Sequence, residues 1–395
     1  MKVIIFIQTA KSGTSREAIR ASEELNMYTI LLTNNKKQLK QREEYTDVHD
    51  MIYIEELNYK NICRYLDTEM NDCFKIGTIL SFIDGYSTLA SRLRDKYTKN
   101  PSKSNAIGVM EDKLLTRIKL RNYPFTPYFK EITLKDDNVH VLKFPLIIKK
   151  RISTASRDVK LINSIEDIST KFYKSHDVFI EDYIDKDQYL IEVFVRNSKP
   201  ISIIKIKQDV LLTKNNTFIV VGYTLDKNTI ISESELSMIQ IIIDELNFKN
   251  GDFHIEVRED EESCKLIEIN PRAAGGSISH IIKYATDTNY IEQVVKFYLG
   301  MDFTVPIVKK DIFNKYLTSN ISGVLEKVTG KNSALNSEGV LKVYVKPRKG
   351  NHVVEPYHMG DRIGYVMATG KDNIEAKDNS LNAVDEINFQ LKEDS

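Results

Sequence analysis

The chain lacks the cysteine pattern and the charge imbalance of several protein classes. It has three cysteines in 395 residues, Cys63, Cys73 and Cys264. Their odd number and the absence of CxxC spacing argue against a disulfide framework or a zinc site and suit a reducing cytoplasm. The 56 Lys and Arg residues equal the 56 Asp and Glu residues in number. There is therefore no global basic field for nucleic acid, and any anion must be bound locally.

Long apolar runs are also missing. No run approaches the length that crosses a membrane, and the opening apolar segment 3–7 is too short for a signal sequence. There is no internal repeat and no low-complexity segment. We therefore expect a cytoplasmic globular protein with no membrane or nucleic-acid partner, long enough for two to three domains.

The first hundred residues alternate strands with a helix. Apolar strands are predicted at 2–8, 28–32 and 76–83, with an amphipathic helix at 15–25. This order predicts a parallel, Rossmann-like α/β unit. The loop 8–15 contains Lys and Ser but lacks the order GxxxxGK[ST], so we interpret it as a strand-to-helix turn at a ligand-facing edge and not as a Walker loop.

The remaining chain reads as a β-rich region that ends in a helix. The polar segment 100–104 is a boundary, because polarity rises there around a proline. The elements predicted after it are a helix at 111–121, strands at 144–149, 159–162, 178–183, 189–195 and 201–206, helices at 234–246 and 290–299, strands at 339–346 and 362–367, and a helix at 373–391.

The most informative stretch is 256–272. Two alternating segments, joined by the acidic loop 259–263, predict a hairpin, and residues two apart share a face, so Glu268 and Asn270 point the same way. If Glu256 lies opposite them, three oxygen ligands converge where Mg²⁺ could meet a substrate phosphate, with Arg272 as a bidentate fork. The alternative is an exposed hairpin whose acids face water. The small-residue turn that follows favours a site, because it lets a ligand approach the backbone.

With its elements in this order, the chain resembles the ATP-grasp superfamily, specifically the carboxylate-amine ligase branch and its dipeptide-forming L-amino-acid ligases. The resemblance covers nearly everything from residue 1 to residue 395. Five segments carry it by their order and spacing. They are 111–113 with Arg117, 144–149, 179–184 followed by Gln188 and Tyr189, 251–256, and 267–272.

The resemblance implies an α+β ATP-grasp fold. A Rossmann-like domain (1–100) would precede two ATP-grasp subdomains that sandwich ATP: 101–186 with the lysine strand and a phosphate-covering loop, and 187–300 with the metal hairpin. A β-rich C-terminal α/β subdomain (301–395) would follow. The implied cofactors are ATP and two Mg²⁺ ions, with Mn²⁺ as an alternative. The implied partners are a small-molecule carboxylate and amine, with a homodimer left open.

The implied ATP site has three parts. Two lysines offset the charge of the triphosphate, two serines belong to the covering loop 151–158, and a hinge with the residue after it recognises adenine and ribose. An isolated lysine would otherwise be expected at the surface. These residues are Lys113 and Lys149; Ser153 and Ser156; and Glu181, Asp182, Tyr183, Ile184 and Gln188.

The resemblance also gives roles to the hairpin and the loop beyond it. Glu256, Glu268 and Asn270 resemble the metal ligands, with Glu268 bridging two ions, and Arg272 resembles the catalytic arginine that touches the transferred phosphoryl group and the carboxylate substrate. Other residues are expected at the substrate pocket. They are Gly275, Gly276, Ser277, Tyr223 and His254, whereas Arg362 is expected to be structural. His254 could assist the amine or hydrogen-bond a ligand, and the alternative is a packed or metal-orienting histidine.

Three departures from the family pattern concern the ligands. Gln188 stands where a glutamate often binds the ribose, the covering loop lacks the usual glycines, and Tyr223 lies in the segment 220–224 where dipeptide-forming members often carry an acid and a histidine. The amine pocket is therefore expected to differ from theirs.

The expected activity is amide formation through an acyl phosphate, with release of ADP and phosphate. The alternatives are a carboxylase or ligase that uses bicarbonate or a non-amino-acid partner, and an idle nucleotide-binding module. The intact set of Glu256, Glu268, Asn270 and Arg272 speaks against the last.

Overall fold

The computed structural model describes residues 2–70, 74–99, 104–132, 143–153, 158–167 and 177–393. It confirms the mixed α/β architecture, arranged around four sheets. Ser156 and Cys73 lie outside the described residues, and Cys63 and Cys264 are free thiols. Within the described ranges, no helix is both long and apolar enough to cross a membrane.

The N-terminal region is a four-stranded parallel sheet with helices packed on it. Its order is β3-β2-β1-β4, and β1 is buried on both faces: Val3, Ile5 and Ile7 enter one core, and Ile4 and Phe6 enter the other. The strands are Lys2–Ile7 (β1), Tyr28–Thr33 (β2), Asp50–Tyr53 (β3) and Lys75–Leu80 (β4). The helices are Thr14–Glu24 (α1), Lys36–Lys40 (α2), Tyr59–Thr68 (α3) and Ser87–Tyr97 (α4).

A small antiparallel sheet with order β5-β8-β6-β7 follows two short helices. The helices are Ser104–Glu111 (α5) and Lys113–Lys119 (α6), and the strands are Phe129–Glu131 (β5), Leu146–Lys150 (β6), Val159–Ile162 (β7) and Val178–Asp182 (β8). The single predicted helix at 111–121 is thus interrupted at Asp112, whose side chain caps α6 by accepting from the amides of Leu114 and Leu115. The arrangement places Lys149 of β6 beside Phe179 of β8.

The largest sheet has eight strands, in the order β13-β12-β9-β10-β11-β14-β18-β16. It combines strands from 187–300 with strands from 301–395, so these two predicted regions share one sheet. The strands are Asp187–Arg196 (β9), Lys199–Leu212 (β10), Phe218–Leu225 (β11), Gly251–Glu259 (β12), Cys264–Asn270 (β13), Asp311–Leu317 (β14), Val340–Val345 (β16) and Gly364–Gly370 (β18).

Helices cover this sheet, and a three-stranded sheet closes the C-terminal end. The helices are Glu233–Glu245 (α7), Ile278–Thr286 (α8), Tyr290–Tyr298 (α9), Lys331–Leu335 (α10) and Asn373–Asp385 (α11). The small sheet contains Gly323–Thr329 (β15), His352–Val353 (β17) and Asn388–Glu393 (β19). The predicted helix 373–391 is wrong beyond Asp385, because Phe389 and Leu391 alternate in β19 and pack in the core beside Leu325 of β15.

Candidate active site

The hairpin β12–β13 brings two carboxylates face to face. Glu256 pairs in register with Glu268, and His254 pairs with Asn270. Directly opposed like charges in a sheet destabilise it unless a cation lies between them. This juxtaposition therefore has a physical cost that a bound cation would remove.

The two carboxylates differ in their protonation. Burial raises the pKa of Glu256 to about 7, and the charge of Glu268 adds to the increase. Burial also acts to raise the pKa of Glu268, but Lys113, Lys149 and a hydrogen bond from Asn270 outweigh it and lower that pKa. Glu268 is thus the more strongly anionic of the pair.

The residues present suit Mg²⁺. Among the described residues, no three His, Cys, Asp or Glu side chains converge as a metal cluster. The set here is two carboxylates and the Asn270 amide, and Mg²⁺ is commonly held by one or two carboxylates together with substrate phosphate and water. The donor set therefore fits a magnesium ion that is completed by a nucleotide.

Two lysines approach the hairpin from the neighbouring elements. Nζ of Lys113 lies 3.4 Å from Oε1 of Glu268 and donates to the Ser153 carbonyl at 3.0 Å. Lys149 is only 3% exposed and donates to the Ile267 carbonyl at 3.2 Å. Burial lowers the pKa of Lys149 to about 8, although Glu181 acts to raise it. Both lysines thus point toward the metal hairpin, where a triphosphate would need cations.

The side chain of Glu181 is engaged in contacts within the protein. Its carboxylate forms a buried ion pair with Lys149 and accepts from Nε of Arg117 at 3.0 Å. Arg117 also donates through Nη2 to the Ile267 carbonyl at 2.7 Å, which ties α6 to β13. Any contact with adenine would therefore involve the backbone of the 181–184 hinge more than the Glu181 carboxylate.

Arg258 organises the other end of this cleft, and the sequence alone did not single it out. It donates from Nη1 to the Ile184 carbonyl at 2.6 Å and from Nε to Oε1 of Gln188 at 2.9 Å. Its guanidinium lies 5.3 Å from the ring centre of Tyr183 and 5.4 Å from that of Phe218. The alternation of β12 indicated that Arg258 shares a face with Glu256, which is the signal that could have identified it.

Of the predicted ATP residues, Lys149, Gln188 and the 181–184 hinge line one narrow cavity, whereas Lys113 and Ser153 are not part of its lining. Its volume is about 70 Å³, far below the few hundred Å³ that a nucleotide-sized ligand occupies. The Lys149–Glu181 pair lies in its wall, as do Asp182, Gln188 and Glu268. A nucleotide would have to separate the two sides of this cavity in order to enter.

Arg272 holds a carboxylate in this structure. Its Nε donates to Oδ1 of Asp84 at 2.6 Å, Nη2 contacts the same oxygen, and Nη1 donates to the Ala273 carbonyl at 3.0 Å. Asp84 follows β4 of the N-terminal sheet, and sequence reasoning missed it because it lies far from the hairpin in the chain. The guanidinium is thus oriented to bind an acidic group.

His254 lies among these charges. Its Nδ1 is 2.8 Å from the Arg272 carbonyl. Burial lowers the pKa of His254 to about 4 and Arg272 lowers it further, whereas Glu268 and Asp84 act to raise it. A neutral imidazole here donates through Nδ1 to the Arg272 carbonyl and so holds the main chain of Arg272 in place.

The loop after Arg272 is anchored from three directions. Oγ1 of Thr14 donates to the Ala274 carbonyl at 2.7 Å, and the Ala274 amide donates to Oε1 of Glu192 at 2.7 Å. The Ser277 hydroxyl lies 2.9 Å from the Tyr316 hydroxyl. These contacts fix the small-residue turn, with Gly276 at a φ of 70°, a backbone conformation that suits glycine.

The buried carboxyl group of Glu192 should make the free energy of unfolding depend on pH. It is 2% exposed, and burial raises its pKa to about 8. Between the ordinary value of 4.5 and about 8, the native state keeps a proton that the unfolded state releases. The free energy of unfolding of the wild type should therefore fall as pH rises, by roughly 1 kcal/mol per pH unit from this group.

Glu192→Gln should remove that decline, because the amide reproduces the neutral carboxyl and still accepts from Ala274. Urea unfolding at pH 5.5 and pH 8 should show the variant gaining stability relative to the wild type at the higher pH. The exposed Glu262→Gln is the matched control and should follow the wild type. Parallel pH profiles for Glu192→Gln and wild type would contradict the assignment.

Tyr223 lies inside the large sheet. It is buried, its ring centre is 5.8 Å from that of Tyr316, and burial raises its pKa. Gln208, which hydrogen-bonds Glu256 across 3.4 Å, lies opposite Tyr223 in the β10–β11 ladder. Tyr223 thus packs between the hairpin and the C-terminal strands.

Comparisons with known proteins agree with this geometry. A family model described as an ATP-grasp domain matches residues 142–281, and one described as L-amino acid ligase C-terminal domain 2 matches residues 315–392. The protein y4rH of Sinorhizobium fredii is 23% identical over 260 residues, which are 62% of this chain and 53% of that protein. The chain thus spans about half the length of this curated relative.

Solved structures share the fold along nearly the whole chain. An L-amino acid ligase from Bacillus licheniformis is 16% identical, with a TM-score of 0.79 and 99% of each chain covered. A phosphoribosylglycinamide synthetase from Anaerococcus prevotii is 14% identical, with a TM-score of 0.73, covering 99% of this chain and 100% of that one. An N5-carboxyaminoimidazole synthetase from Staphylococcus aureus, complexed with ADP, is 15% identical, with a TM-score of 0.70 and coverage of 97% and 98%.

At these identities, the structural likeness shows the fold alone. The two family models add evidence from the sequence, since one spans β6 and the β12–β13 hairpin and the other spans the C-terminal strands. The chain thus contains an ATP-grasp domain at residues 142–281 and an L-amino acid ligase C-terminal domain 2 at residues 315–392.

Proposed function

We propose that the protein is an ATP- and Mg²⁺-dependent ligase that joins two L-amino acids into a dipeptide. The observation that carries the proposal is the Arg272–Asp84 pair beside the hairpin. A guanidinium and a carboxylate in contact can bind the two ends of a zwitterion, since Arg272 can hold a substrate carboxylate and Asp84 can hold an ammonium group. This pairing favours an amino acid over a bicarbonate ion, which has no ammonium group.

The proposed reaction has two steps. An oxygen of the substrate carboxylate attacks the γ-phosphorus of ATP, the bond to the β,γ-bridging oxygen breaks, and an acyl phosphate and ADP form. The neutral amine of the second substrate then attacks the acyl carbon, phosphate leaves, and the nitrogen loses a proton. No protein nucleophile takes part.

The protein's contribution is positioning and charge. Lys113 and Lys149 would offset the charge of the triphosphate, and Arg272 would bind the carboxylate beside the transferred phosphoryl group. Glu256, Glu268 and Asn270 would hold Mg²⁺, which supplies charge stabilisation during phosphoryl transfer. His254 would keep Arg272 in place through its main chain.

A substrate screen tests the proposal. The full chain with ATP and Mg²⁺ should form ADP with particular pairs of L-amino acids, and mass spectrometry should show a product equal to the two amino acids less one water. Bicarbonate with each amine is the control arm. ADP formation that requires bicarbonate, without a condensed product, would instead indicate a carboxylase, and no ADP with any substrate would indicate an idle nucleotide-binding module.

A further inference from the structure

A second cavity, of about 440 Å³, opens next to the turn after Arg272. We refer to it as the basic cavity. Six cationic residues line it, whereas Glu17 is the one acid among its described lining residues. The cations are Lys11, Arg16 and Arg20 from the N-terminal sheet region, and Lys342, Lys346 and Arg362 from the C-terminal strands and the loop before β18.

The basic cavity borders the turn that follows Arg272. Gly276 and Ser277 lie in its wall. The turn before α1 closes onto the same loop, since a methyl group at Gly13 would lie 3.8 Å from the Gly276 carbonyl oxygen. A substrate bound at Arg272 could therefore extend into this space.

Arg362 is held rigidly with one end of its guanidinium toward the cavity. Its Nε donates to the Met359 carbonyl at 3.0 Å, its Nη1 donates to the Val220 carbonyl at 3.1 Å, and its guanidinium lies 3.7 Å from the ring centre of Tyr316. A methyl group at Gly276 would lie 3.9 Å from Nη2. Arg362 thus has the expected structural role, but the same contacts also hold its positive charge at the cavity, where a ligand can bind it.

Little negative charge lies near the three cationic residues of the C-terminal wall, which are Lys342, Lys346 and Arg362. Lys342 and Lys346 contact His280 at 2.9 Å and the Gly360 carbonyl at 2.6 Å, respectively. Among the residues that the structure describes, neither these lysines nor Arg362 has a carboxylate within ion-pair distance. Burial lowers the pKa of Lys342, and although Glu17 acts to raise it, nearby Lys283 and Arg20 lower it further. The wall is therefore electropositive.

The positive charge of the N-terminal wall is better neutralised, but one guanidinium nitrogen there has no hydrogen-bond acceptor. Arg16 is 4% exposed, and its Nη2 is paired with Oδ1 of Asp47 at 2.5 Å. Nη1 of the same guanidinium is buried without a hydrogen-bond partner in the described structure.

We propose that the basic cavity binds a carboxylate or phosphate group carried by one of the two substrates, so that the enzyme joins an acidic amino acid in preference to its neutral isostere. The inference rests on the proposed ligase function. An anionic group would satisfy the fixed Arg362 fork and neutralise the lysines, and a neutral isostere would leave these charges unpaired. A site built for a charged group rejects the analogue that lacks it far more strongly than an apolar pocket rejects an extra methylene.

Two matched substrate pairs test the preference. L-Glutamate and L-glutamine form one pair, and O-phospho-L-serine and L-serine form the other, each offered with every proteinogenic amino acid as the second substrate. ADP formation should give a kcat/KM at least about tenfold higher for the acidic member of a pair. Whichever of L-glutamate and O-phospho-L-serine has the higher kcat/KM shows whether the cavity prefers a carboxylate or a phosphate group. Equal or faster turnover of both neutral members would overturn the proposal.

Arg362→Gln tests whether this cavity sets the preference. The acidic-to-neutral ratio of kcat/KM should fall at least about tenfold in this variant. Arg196→Gln is the matched control, because Arg196 also stacks on a ring, 4.7 Å from the centre of Phe303, and lies outside the cavity lining. Lys342→Gln should reproduce the direction of the effect if Arg362→Gln does not fold. An unchanged ratio in a folded Arg362→Gln or Lys342→Gln protein would contradict the assignment.

A binding measurement distinguishes an error in the proposed anion site from an error in the proposed ligase function. If no substrate pair forms ADP, the proposed function is wrong, and calorimetry with O-phospho-L-serine, L-glutamate and their isosteres still decides the cavity. Binding of an acid that is lost in Arg362→Gln and kept in Arg196→Gln would support the anion site. Absence of binding, or equal binding by both variants, would overturn it.

Discussion

Glu268→Gln should abolish ADP formation and leave the protein folded. Glu268 is the more anionic of the two opposed carboxylates, and it lies 3.4 Å from Nζ of Lys113. The amide keeps the shape of the side chain but removes the charge that would hold a divalent cation. We expect the rate of ADP formation to fall by roughly 10²–10³-fold or more, the size of effect seen when one electrostatic contact to a transition state is removed.

The fold should tolerate the Glu268→Gln change, which removes an attraction as well as a repulsion. Neutralising Glu268 relieves its repulsion with Glu256 across the ladder, but it also removes the attraction to Lys113 and Lys149 that helps to lower the pKa of Glu268. Thermal unfolding without Mg²⁺ should therefore remain cooperative, with a Tm slightly below that of the wild type. Glu261→Gln, exposed at the turn of the same hairpin, is the matched control and should retain full activity. Near-normal turnover of Glu268→Gln would refute the metal assignment.

Arg272→Lys should lower kcat far more than it weakens ATP binding. Arginine offers a planar fork that holds both oxygens of a carboxylate, and lysine is a single flexible charge. In the structure, the fork contacts Asp84 and the Ala273 carbonyl at the same time, an arrangement that an ammonium group cannot reproduce. We expect kcat to fall by roughly 10²-fold, with the Kd for ATP changed by less than about threefold.

The two quantities need separate measurements in the Arg272→Lys protein. Initial rates at saturating substrates give kcat, and calorimetric titration with a non-hydrolysable ATP analogue gives nucleotide affinity. Arg121→Lys, an exposed change in the segment after α6, should alter neither. A loss confined to nucleotide affinity would show that Arg272 serves the triphosphate and not the reacting groups.

Local alternation was enough to predict the hairpin, but partners distant in sequence were not predictable. The period of two predicts both strands, but the register set at their turn, with Glu259 opposite Cys264, would place Glu256 opposite Ile267. A register shift between Glu256 and Val257 places Glu256 opposite Glu268 instead, and nothing in the local alternation specifies it. Asp84 reaches Arg272 across 188 positions of sequence, and Glu192 lies among apolar neighbours in β9, so neither has a local pattern that marks it. Arg258, by contrast, shares a face with Glu256 through the alternation of β12, so a local pattern does mark it.

The C-terminal strands illustrate the same limit. The strands predicted at 339–346 and 362–367 match β16 and, in part, β18, but the prediction contains neither β11 nor β14. Their pairing joins Gly222 to Lys315 and Leu225 to Ile312, and nothing local specifies that contact. The predicted last helix is too long because Glu, Asp and Lys continue through 385–393 and only Phe389 and Leu391 reveal the change of period.

The continuous eight-stranded sheet constrains how the protein could be re-engineered. The β12–β13 hairpin lies at one end of this sheet, and β16, which carries Lys342, lies at the other. A chimaera that exchanged residues 301–395 for those of a relative would have to rebuild the β11–β14 ladder at the splice. Substrate selectivity and nucleotide chemistry would therefore be transplanted together more readily than apart, and selectivity is better altered by point substitutions along the wall of the basic cavity.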